Sequence, residues 1–137
     1  MKDIIQILHE GQFSCVIKKN DAEIFTFNQR GIKDLYDLSL RIPKILHNAM
    51  VADKVIGKAA AALLIIGGVK AVYADVISTS ALTLLLNFGI EVQYLNKTFA
   101  VLNRDKTNLC PVEKLCIYED SPSKIIEIID SFINLKK

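Results

Sequence analysis

Apolar residues first fall at helical spacing. Ile4, Ile5 and Leu8 share one face of a helix predicted over residues 3–9, and Gly11 stops it. The period then changes. Phe13-Ser14-Cys15-Val16-Ile17-Lys18 and Glu23-Ile24-Phe25-Thr26-Phe27 alternate on either side of Lys19-Asn20-Asp21, which predicts a β-hairpin. After Gly31 the helical period returns over residues 32–40, with Leu35, Tyr36 and Leu38 inside and Pro43 as the limit.

The most apolar stretch predicts a central helix over residues 53–66. Asp53 serves as its N-cap and Gly67-Gly68 as its stop, while four consecutive alanines from Ala59 let it lie close against a sheet. Residues 71–76 read as a largely buried strand. Ser78-Thr79-Ser80 then caps a helix over residues 81–87 that ends at Gly89. Residues 90–95 and 98–102 read as two short strands, a second hairpin around Asn96-Lys97. A polar loop over residues 103–108 leads to a short helix opened by Cys110-Pro111. The last helix follows Ser121-Pro122 and turns Ile125, Ile126, Ile128, Ile129, Phe132 and Ile133 inward. Helices and strands alternate, so the expected fold is α/β. It is a three-layer sandwich in which a mixed sheet carries helices on both faces. No repeat, low-complexity segment or linker divides the chain, and residues 1–137 are expected to form a single domain.

Composition narrows the function. The chain is 51% hydrophobic, enough for a sizeable core, and 17 basic against 15 acidic residues leave only +2. Nucleic-acid-binding domains usually carry a clear basic excess, so no nucleic acid is expected as partner. The apolar run over residues 59–69 is too short to span a bilayer, and no membrane partner is expected. Three cysteines, an odd number, and an N-terminus without an apolar signal core point to the cytoplasm and reduced thiols.

Four features could carry chemistry. Asp53-Lys54-Val55-Ile56-Gly57-Lys58 places a glycine and a lysine where the central helix presents its positive end, a place where a cation is disfavoured and an anion welcome. Either Asp53 caps and Lys58 snorkels outward, or Gly57, Lys58 and the exposed N–H groups receive a phosphate or carboxylate. In Cys110-Pro111-Val112-Glu113, the proline suits a first helical position and Glu113 suits a capping box. A thiol at that helix N-terminus would also be activated, though the Glu113 carboxylate opposes its ionisation. Ser78 and Thr79 read as helix caps at the start of the following helix. The fourth is a metal site. His9, His47, Cys110 and Cys116 show no metal-ligand spacing, so neither a metal nor another cofactor is expected.

The stretch over residues 53–115 resembles a family of small bacterial and archaeal proteins of unknown function with a cytidine-deaminase-like fold. The resemblance is carried by Asp53-Lys54-Val55-Ile56-Gly57-Lys58-Ala59-Ala60-Ala61, Gly67-Gly68-Val69-Lys70, Val72-Tyr73-Ala74, Val76-Ile77-Ser78, Asn103-Arg104-Asp105 and Leu109-Cys110-Pro111-Val112-Glu113-Lys114-Leu115. Val112 stands where the family usually has Met, and Asn108 where it often has Gly. The resemblance implies the scaffold without the reaction. Zinc deaminases need His or Cys, then Glu, at the start of the central helix and Pro-Cys-x-x-Cys at the start of the next. Here those places read Gly57-Lys58-Ala59 and Ser78-Thr79-Ser80-Ala81-Leu82. The expected function is therefore binding, in a regulatory role, of a small anionic or nucleotide-like ligand in the vestigial pocket. Asp53, Gly57, Lys58, Ser78, Cys110 and Glu113 would form the site. The alternatives are an enzyme of another class, with Cys110 or Lys58 as nucleophile, and a structural subunit of an oligomer such as a homodimer.

Overall fold

Alternation in the strands sorts their side chains between two faces, and each face has its own cover. The computed structural model describes residues 1–20, 23–28, 33–42, 44–99 and 111–135. The described elements run α1 (Lys2–Glu10), β1 (Cys15–Lys19), β2 (Glu23–Phe27), α2 (Lys33–Arg41), β3 (Met50–Ile56), α3 (Lys58–Gly67), β4 (Ala71–Ser78), α4 (Thr79–Asn87), β5 (Glu91–Thr98), α5 (Pro111–Cys116) and α6 (Pro122–Leu135). The sheet has five strands in the order β2-β1-β3-β4-β5. β1 pairs antiparallel with both β2 and β3, whereas β3, β4 and β5 run parallel.

Cys15, Ile17, Val51, Val72 and Ala74 point into the larger core with apolar side chains of α2, α3, α4, α5 and α6. Their strand neighbours Val16, Ala52 and Tyr73 point the other way, against Ile4 and Leu8 of α1. The strand period of two produces this division. Helix α3 is apolar on every side, which marks a helix enclosed by others. Ala59, Ala61, Ala62 and Leu64 are all buried, and α3 contacts α2, α4, α5 and α6 as well as β3. Burying one leucine of this kind contributes about 1.5–3 kcal/mol. The helix ends at Gly68, whose φ of +80° is a left-handed cap conformation suited to glycine.

The N-terminal hairpin forms as expected: Lys19 faces Glu23, and Asn20 takes the left-handed conformation at φ 57°. Asp21, Gly31 and Pro43 lie outside the described residues. Two expectations are overturned. Asp53 is not a helix cap. It lies inside β3, paired with Cys15 on one side and Ala74 on the other, and α3 begins only at Lys58. Nor do Asn96 and Lys97 form a turn; both lie inside β5 and pair in register with Val76 and Ile77 of β4. β5 is one of the two edge strands and most of its side chains face solvent, so polar residues cost it little. The other half of that expected hairpin, residues 100–102, and the loop over residues 103–108 lie outside the described residues.

On the α1 face, polar contacts pin the helix at both ends. Lys18 donates to Asp3 at 2.5 Å, and His9 Nε2 meets Asp75 Oδ1 at 2.6 Å. Tyr73 donates its hydroxyl to the same Asp75 oxygen at 2.5 Å. Burial, with Asp75 beside it, pushes the Tyr73 phenol up to about 12. Among the described residues no helix is long and apolar enough to cross a membrane.

Candidate functional site

Parallel strands followed by helices leave a crevice where the strands end. Here β3 ends at Ile56 and hands over to α3, and β4 ends at Ser78 and hands over to α4. A cleft of about 510 Å³ opens between these helix starts and the α5 segment. Lys58 of α3, Ser78, Thr79, Ser80 and Thr83 at the head of α4, and Glu113 of α5 line it. Leu84, Asn87, Phe88, Phe99, Ile117 and Asp120 complete the wall.

Gly57 is the N-cap of α3, but it offers the helix no side-chain acceptor, and α3 has no acidic residue in its first turn. The exposed amides are satisfied from far along the chain. Lys58 N donates to Glu113 Oε2 at 3.0 Å, and Ala59 N donates to Glu113 Oε1 at 3.1 Å. One carboxylate therefore sits astride the positive end of the helix, the position where a negative charge is most stabilising. Glu113 thus caps α3 from another helix; the residue that a capping box on its own helix would serve, Cys110, lies outside the described residues. The backbone of Gly57, φ −99° and ψ −177°, is open to any residue, so no left-handed turn accounts for the glycine.

Lys58 is 4% exposed, and its side chain runs inward along the cleft rather than snorkelling out. Its Nζ donates to Asp120 Oδ1 at 2.8 Å and to the Ile117 carbonyl at 3.4 Å. Asp120 is 88% exposed, so water screens this ion pair from the open side. On the α4 side, Ser78 Oγ accepts from Ala81 N at 3.1 Å, the N-cap bond expected of it, and lies 3.3 Å from Ser80 Oγ. Thr79 donates its hydroxyl to the Thr98 carbonyl at 3.0 Å, which ties the head of α4 to the end of β5.

Of the expected site residues, Lys58, Ser78 and Glu113 come together in the cleft. Gly57 precedes Lys58 but is not part of the wall, and Asp53 lies back within β3, where its carboxylate accepts from Val55 N at 3.2 Å. Cys110 lies outside the described residues. Cys15 and Cys116 are buried in the larger core. Among the described residues no cluster of three or more His, Cys, Asp or Glu side chains could hold a metal ion. Sequence reasoning missed Thr83, Asn87 and Asp120. Thr79, Thr83 and Asn87 recur every fourth residue, a polar stripe along α4 opposite buried Ala81 and Leu85 that the helical period could have revealed. Asp120, in the turn after α5, carries no sequence signal.

Fold and cleft together define a small α/β protein with a five-strand mixed sheet and a crevice of mixed polar and apolar lining at the ends of its parallel strands. The chain matches the model of the family TM1506, a domain of unknown function (DUF1893), over residues 3–133, and it belongs to that family. It is similar to the crystal structure of a DUF1893 family protein (TM1506) from Thermotoga maritima. The two share 32% sequence identity and a TM-score of 0.87 over 95% of this chain and 87% of that chain. No curated protein matches the chain.

Proposed function

We propose that this protein binds a small organic molecule in the cleft between the heads of α3 and α4, as a binding or regulatory module on a cytidine-deaminase-like scaffold. One observation carries the reading. A cleft of about 510 Å³, within the usual size of ligand sites, combines apolar side chains (Leu84, Phe88, Phe99 and Ile117) with the polar side chains of Ser80, Thr83 and Asn87. The near-balanced charge of the chain favours a small molecule over nucleic acid as the partner. The heads of the two helices bear Gly57-Lys58-Ala59 and Ser78-Thr79-Ser80 in place of the residues that hold zinc and shuttle protons in deaminases. We therefore assign no hydrolytic deamination to it. Lys58 has spent two of its three hydrogens on Asp120 and Ile117, which favours a ligand contact over a nucleophile.

Native mass spectrometry of freshly purified protein tests the reading. A co-purifying small molecule should be retained by the natural chain and lost from Thr83→Phe, which fills the cleft from an exposed face of α4. A metabolite extract that neither adds mass to the protein nor shifts any cleft amide would sink it. One zinc per chain that survives chelation would overturn the separation from deaminases.

A further inference from the structure

We infer that the ligand of this cleft is uncharged, and that the cleft turns anions away. The inference rests on the cleft-binding reading above and specifies its chemistry. The sequence suggests the opposite, because Gly57 and Lys58 stand at a helix start. The geometry removes both attractions. The two amides at the head of α3 already hold the Glu113 carboxylate at 3.0 and 3.1 Å. The Lys58 ammonium already holds Asp120 at 2.8 Å. At the head of α4, Ser78 takes the Ala81 amide at 3.1 Å.

What remains is one cation against two carboxylates in the described wall: Lys58 against Glu113 and Asp120. An entering phosphate or carboxylate would meet Glu113 at close range, with no cation besides Lys58 among the described residues that line the cleft. Like charges a few ångströms apart in a partly desolvated site repel by far more than in water. The other polar groups of the wall are hydroxyls and one amide: Ser80, Thr79, Thr83 and Asn87. Ser80, Thr83 and Asn87 can each donate and accept, and Thr79, whose proton goes to the Thr98 carbonyl, can accept, so the set suits a neutral carbonyl, amide or hydroxyl. Leu84 and Phe88 offer an apolar side to the same ligand.

A matched set of probes separates charge from shape. Benzamide, benzoate, benzyl phosphate and benzylamine share one ring and differ in charge. Titration of each is followed through the amide resonances of Thr79, Ser80, Thr83 and Asn87. Benzamide should bind about tenfold or more tightly than benzoate or benzyl phosphate. Thr83→Arg, which sets a cation on the cleft wall at an exposed position, should narrow or reverse that preference. Tighter binding of benzoate or benzyl phosphate than of benzamide by the natural chain overturns the inference and leaves the cleft reading standing. A preference for benzylamine overturns it in favour of a cationic ligand. If no probe moves a cleft resonance in either chain, both readings fall.

Discussion

Removing the Glu113 carboxylate should loosen α3 at its head, 54 and 55 residues away in sequence from the amides it serves. Glu113→Ala orphans the N–H groups of Lys58 and Ala59 and deletes a negative charge at the positive end of the helix. A lost helix cap costs about 0.5–2 kcal/mol, and a hydrogen bond to a charged group contributes about 1.5–3 kcal/mol. Glu113 is half-buried, so water recovers part of the loss, and about 2 kcal/mol is expected. For 137 residues the entropy of unfolding is about 0.29 kcal/mol per kelvin, so the melting temperature should fall by about 7 °C. Glu113→Gln keeps one acceptor oxygen and should lose about half as much. Lys114→Ala, at the exposed neighbouring position, should change stability by less than about 0.5 kcal/mol. Calorimetry gives the stability, and hydrogen exchange at the Lys58 and Ala59 amides gives the location. The reasoning fails if Glu113→Ala melts with the natural chain. It fails equally if stability drops while those two amides exchange no faster.

Three further outcomes are expected. Gly67→Ala should destabilise by about 1–3 kcal/mol in denaturant titrations, although alanine is the better helix former, because its Cβ would stand 2.6 Å from Leu46 Cβ in a buried contact; an unchanged midpoint would show that the two elements can part. The Tyr73 phenol ionises near 12 in the folded chain against 10.0 ordinarily, so the stability it supports is complete below about pH 10 and drains away as pH rises through about 12; Tyr73→Phe should remove that alkaline loss and shrink the highest-pH step of the tyrosinate absorbance titration. The hydrogen bond from Lys18, with smaller help from the Ile4 amide, holds the Asp3 carboxyl below its ordinary 3.8, so its contribution is present above that pH and lost as pH falls through the lowered value; Asp3→Asn should be the less stable chain at neutral pH, and the two should converge once the pH has fallen past that lowered value.

Much of the fold was legible because long periodic segments announce themselves. The α1 and α2 faces, the first hairpin, β4 and the core stripe of α6 follow from spacing alone. β3 was not legible, and the reason is local. Val51 and Ile56 face the same core an odd number of residues apart, as do Val72 and Ile77, so the alternation slips in both strands together. At the slip, Asp53 is only partly covered and Lys54 is exposed, and the polar pair mimics a helix cap in front of an alanine run. β5 misled in a similar way: an edge strand tolerates Asn96-Lys97 where an inner strand would not. At the site, Lys58, Ser78 and Glu113 were legible as residues that want partners. Which partners they find was not, because Glu113 and Asp120 reach α3 through tertiary structure that no local pattern encodes.

The long reach of Glu113 also orders events in time. A growing chain completes the β3-α3-β4-α4-β5 unit before Pro111 exists, yet the head of α3 has no side-chain cap until α5 arrives. The newborn sheet therefore waits with its innermost helix unfinished at one end. α6, which packs along the same helix through Ile125 and Ile129, closes the core last. Contacts between such distant parts of a chain form slowly, because a long loop must close before they return any stability. The cleft accordingly has no third wall until α5 has been made, so the side chains that line it are brought together only when Glu113 closes on the head of α3.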